Sequence, residues 1–117
     1  MTQQRLSDLK TEFEMASDLA AQVEVENDAA WQEFERLLDE FRSLRSTLGD
    51  VDALMDDDDV DSRLVERALA TARERMEAAH HARLLASSRL VLARKRRDGL
   101  RATLRAAEYL AEREVQR

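Results

Sequence analysis

Between Leu6 and Met55 an apolar side chain returns at alternating steps of three and four residues: Leu6, Leu9, Phe13, Ala16, Ala20, Val23, Ala30, Phe34, Leu37, Phe41, Leu44, Leu48, Val51 and Met55. Asn27 is the one interruption. A strand repeats every two residues, so it cannot place this series on one face. A coiled-coil-like helix can. With Leu6 at heptad position a, Asn27 also falls at a, where a buried amide fixes register at some cost in stability. Leu19 at g, with Trp31 and Leu38 at e, widens the seam and points to more than one partner helix.

The second half repeats the spacing less strictly through Val65, Leu69, Ala72, Met76, Ala79, Ala86, Leu90, Ala93, Leu100, Leu104, Ala107 and Ala111. Arg83, Arg97 and Glu114 occupy the remaining positions. Alanines predominate in its d row, which permits close helix approach and buries little area per contact. Arg83 and Arg97, at a, need either acidic partners or a route for their heads to water. Leu84, Leu85, Leu90, Val91 and Leu92 add a second apolar face.

Gly49-Asp50 reads as a helix end followed by a new start. The acidic run Asp56–Asp59 and Asp61 suits the N-terminus of a second helix. These signals predict one domain over residues 1–117: a helix over about 3–48, an acidic turn over about 49–61, and a helix over about 62–115 with a possible kink at Gly99. The fold class is all-α, a long antiparallel helical hairpin, coiled-coil-like, associating into a multi-helix bundle.

Composition agrees. There is no Pro, two Gly, and aromatic residues make up 4% of the chain, too few for an ordinary globular core and typical of long helices. The formal net charge of −6 is unevenly spread. Residues 1–59 carry 17 acidic and 5 basic side chains, against 8 and 14 in residues 60–117. Pairing of an acidic helix with a basic one follows. The absence of Cys excludes disulfides, thiol catalysis and Cys-ligated metals. The opening MTQQRLSDLKTEFE has no apolar core, so no signal peptide is expected, and no apolar run spans a bilayer. A cytoplasmic location is the corresponding expectation.

Few residues carry recognisable chemistry. Glu77 and His80 form an E-x-x-H, with His81 adjacent. Two such pairs plus a Glu from each of two further helices hold di-metal centres in helical bundles, and Glu33 or Glu35 would lie roughly opposite. Glu77 and His80 nevertheless fall at b and e, off the seam, where a solvated surface cluster is the simpler reading. Asp57, Asp59 and Asp61 alternate as in a calcium loop, but Ser62 stands where Gly is needed and Ala68 where Glu is needed. Arg94, Arg97, Arg101 and Arg105 share a helix face that could track nucleic-acid phosphates. No aromatic residues interleave for base stacking, and the acidic first helix offers the same arginines a protein partner.

No Gly-rich phosphate loop and no Ser–His–Asp arrangement is present. A two-helix chain is also expected to lack a concave pocket. The sequence therefore predicts a non-enzymatic, self-associating assembly, scaffold or adaptor element without a cofactor. It is expected to be a homo-oligomer, by default a dimer, with a protein helix as the other candidate partner and no membrane. The expected contact residues are Asn27, Trp31, Leu38, Leu84, Leu85, Leu90, Val91 and Leu92. Nucleic-acid association through Arg94, Arg97, Arg101 and Arg105 is the alternative, and a di-metal bundle the third reading.

Overall fold

The computed structural model describes residues 3–54 and 59–116, with side chains over 3–50 and 63–116. The calcium-loop spacing of Asp57, Asp59 and Asp61 lies outside the described side chains. Two helices account for nearly all of the described residues: α1 (Gln3–Leu54) and α2 (Asp59–Val115). They pack against each other as an antiparallel helical hairpin. Among the described residues there is no strand.

The apolar spacing explains the packing. Every seam position of α1 from Leu6 through Leu48 is buried or half-buried, and so is every seam position of α2 from Val65 through Ala111. Glu114, the outermost, is exposed. Leu38, flanking the seam at e, is half-buried, whereas Leu19 at g is exposed.

The helix ends on both sides of the expected acidic turn differ from the expectation, and α2 already begins at Asp59. α1 does not stop near Leu48 but continues through Gly49 and Asp50 to Leu54. Gly costs about 1 kcal/mol relative to Ala inside a helix, less than is needed to break one already propagating. Gly99 likewise sits inside an unbroken α2, with no restart at Leu100. The Thr103 hydroxyl donates to the Gly99 carbonyl at 3.0 Å.

The chain forms two compact units, each containing a segment of both helices. In the unit of residues 1–27 and 86–117, the core cluster is Ala20, Val23, Leu90 and Ala93. Ala16 and Ala107 are also buried there. Numbers rise along α1 as they fall along α2: Arg101 lies over the Phe13 ring, Arg94 meets Glu24, and Ser87 meets Asn27.

In the unit of residues 28–85 the α2 seam is of mixed size, with Val65, Leu69, Ala72, Met76, Ala79 and Arg83 facing Ala30, Phe34, Leu37, Phe41, Leu44 and Leu48 of α1. Leu37 and Phe41 are buried on α1, Ala79 on α2. Arg83 lies over Trp31, His80 beside Phe34 and Arg73 over Phe41, again antiparallel.

Candidate functional site

Asn27 lies where the heptad places it, half-buried in the seam. Its side-chain oxygen accepts from the Ser87 hydroxyl across the hairpin at 2.9 Å. A partly buried amide left unpaired would cost about 1–3 kcal/mol, so a shift of the helices that separates Asn27 from Ser87 is penalised. The amide therefore sets register within the hairpin and is not an outward contact.

Arg83 finds aromatic partners, where its seam position called for acidic ones or a route to water. Its guanidinium carbon is 3.9 Å from the centre of the Trp31 ring and 4.5 Å from that of Phe34. Nη2 donates to His80 Nδ1 at 2.8 Å. An arginine has no acceptor, so His80 must accept through Nδ1 and carry its proton on Nε2. The buried Nε of Arg83 has no hydrogen-bond partner. Arg83 thus caps Trp31, and the ring expected to meet a further helix is partly covered from within the hairpin.

Arg97 solves the same seam problem by turning outward. Its side chain reaches the exposed Asp98 carboxylate at 3.0 Å. Arg101 approaches the same carboxylate at 3.9 Å, and Arg94 reaches Glu24 on α1 at 3.3 Å. Three of the four arginines proposed for phosphate contact therefore have carboxylate neighbours. These pairs are exposed, and each contributes at most about 1 kcal/mol.

The metal-ligand spacing of Glu77 and His80 leads to no assembled cluster. Among the described residues, no three His, Asp or Glu side chains converge. His80 is engaged by Arg83 and Phe34. Glu33, expected roughly opposite, pairs with Arg36 at 2.6 Å. That hydrogen bond is the main cause holding the Glu33 carboxyl below its ordinary value. Glu40, on the other side of Arg36, also lies at 2.6 Å.

Concavity is greater than the sequence suggested. In the second unit an open groove of about 950 Å³ runs between the helices, with Leu44, Ala68, Thr71 and Ala72 among its lining and Arg36, Arg67 and Arg75 around it. It forms where α2 presents small side chains.

The apolar residues off the seam separate into two groups. Leu90 is buried against Ala20, Val23 and Ala93, so its assignment to an outward face is corrected. It belongs to the seam series, and the hairpin consumes it. Leu84 and Leu85 remain 49% exposed, Val91 62% and Leu92 67%. In the first unit the exposed face of α2 runs further than the sequence reading placed it. Ser88, Leu92, Lys95, Gly99, Ala102, Ala106 and Tyr109 repeat the three-four spacing, with Val91 and Leu110 beside them, and all are exposed. At 3.6 residues per turn this row falls on the side of α2 turned away from α1. The signal that would have found it is a second heptad, offset from the first and diluted by Gly and Ala.

Among the described residues, no helix is long and apolar enough to cross a membrane. Comparison of the chain with protein-family models, with curated proteins and with solved structures finds no match.

Proposed function

We propose that this chain is a self-associating helical assembly or scaffold element that acts through protein–protein contacts and not as an enzyme. The observation that carries the reading is the exposure of Val91 and Leu92, with Tyr109 and Leu110 further along α2, on a face the hairpin does not use. Single exposed apolar residues are ordinary, whereas two exposed apolar pairs on one helix face, joined by Gly99, Ala102 and Ala106, support a contact surface. The hairpin already uses its own seam and its register amide, so this face remains for a partner. The lack of Cys suits a reducing, cytoplasmic setting.

Nucleic-acid association has narrower support, because Arg94, Arg97 and Arg101 already lie beside carboxylates. Sedimentation velocity and equilibrium on nucleic-acid-free protein test the proposal. The expected mass is two chains or more, falling to one when Leu92 is changed to Glu. A monomer across the accessible concentration range would refute self-association.

A further inference from the structure

The outer row of α2 in the first unit has a basic rim. Arg94 and Arg105 flank it on one side, with Asp98 between them already paired to Arg97 and Arg101; Arg89 and Arg96 flank it on the other, and Lys95 stands within it, all five cations being exposed. Arg94 has Glu24 as its neighbour. Among the described residues, Arg89, Lys95, Arg96 and Arg105 have no carboxylate in ion-pair range. An isologous contact, α2 against the same face of a second α2, would match the apolar rows but crowd these cations together. Like charges brought together across such a contact repel one another.

The chain itself carries a helix of the opposite character. In the same unit, Met15 and Val25 of α1 are 67% and 69% exposed. Around them stand the exposed acids Glu12, Glu14 and Asp18. Like the four cations, these three carboxylates have no ion-pair partner among the described residues.

Resting on the self-association reading, we propose that the outer face of α2 between Ser88 and Leu110 takes the acidic outer face of α1 from a second copy. Leu92 and Val91 meet Met15 and Val25, and the basic rim meets Glu12, Glu14 and Asp18. Gly99, Ala102 and Ala106 allow the incoming helix to approach closely. The two surfaces lie on different helices of each chain, so the contact is heterologous. Each copy that accepts an α1 still offers its own, and addition continues from copy to copy until a ring closes or a filament grows.

Complementary charge reversal tests this. In one full-length variant Lys95 and Arg96 become Glu; in the other Glu14 and Asp18 become Lys. All four substituted positions are exposed, and far-UV circular dichroism checks that helix content is kept. Sedimentation then reads mass against concentration and salt. The expected result is wild-type growth beyond two chains that retreats at high salt, loss of these larger species in each variant alone, and their return when the two variants are mixed.

Growth that survives both reversals overturns the proposed contact. A mass that stops at two chains and ignores the reversals overturns it as well, while leaving self-association standing through an isologous face. A monomer at every concentration overturns both this contact and the reading on which it rests.

Discussion

Gly49 and Gly99 give the most direct test of the helix assignment. Both lie inside helices, and a Cβ built at either meets nothing within 4 Å. Neither has the positive φ that would penalise a side chain. Replacing each by Ala should therefore yield the intrinsic helix preference without a steric cost, about 0.8–1.0 kcal/mol per site. The sites are on different helices and a Cβ at either touches nothing within 4 Å, so the gains should add to about 2 kcal/mol. With an unfolding entropy of about 2.1 cal/mol/K per residue, each kcal/mol raises Tm by about 4 °C in a chain of this length. Thermal and urea unfolding followed by far-UV circular dichroism, at matched protein concentration, reads the effect. A loss of stability in Gly49→Ala would show that the chain turns there and that the first helix does end near Leu48. The same loss in Gly99→Ala would restore the break before Leu100.

Other interactions can be isolated in the same assay. A double-mutant cycle on Arg83→Met and Trp31→Leu should give a coupling of about 1 kcal/mol, the range for a half-buried cation over an indole face; a coupling near zero would mean that the ring and guanidinium are merely adjacent. Ser87→Ala should cost about 1 kcal/mol by leaving the Asn27 amide unpaired, and adding Asn27→Val should recover most of it, because two matched apolar groups replace the hydrogen bond. Simple addition of the two costs would refute that pairing. The Glu33 carboxyl, lowered first by the Arg36 hydrogen bond, contributes stability that is present above the ordinary carboxylate range and is lost as pH falls through its folded value. Arg36→Gln should move the Glu33 titration upward in carboxyl-carbon NMR, and an unmoved titration would exclude Arg36 as the cause.

The buried side of each helix was legible from the three-four repeat, whereas the turn was not, because one continuous helix pairing along its length with another chain satisfies the same repeat and the same charge asymmetry. The two series from Leu6 to Leu48 and from Val65 to Ala111 correctly named the buried side of each helix. Helix ends were less legible. Gly49-Asp50 has the chemistry of a stop and start, yet glycine only permits a break, and cooperativity carried the helix to Leu54. Asn27 was recognised as a register residue, but its partner Ser87 could not be, since a cross-helix pair depends on alignment that neither helix encodes alone. Arg83 was read for acidic partners or a route to water, whereas its guanidinium lies over Trp31 and Phe34. Leu90 was counted twice, once in the seam and once on the outward face, and burial assigns it to the seam. The outer row beyond Leu92 was hidden because Gly99, Ala102 and Ala106 carry little hydrophobic signal individually.

The modest girth of the core has a calorimetric consequence. Among the described residues no large side chain is fully buried, and alanines make up much of what is buried. Unfolding therefore exposes little apolar surface for each peptide group that returns to water. Apolar exposure raises the heat capacity and polar exposure lowers it. The increment for a single chain should thus lie below the usual value of about 12–15 cal/mol/K per residue. Its stability curve should be broad and gently arched, with heat and cold limits far apart for the height of the maximum. Docking of a second copy on the outer face of α2 would add apolar burial, steepen that curvature and make it depend on protein concentration.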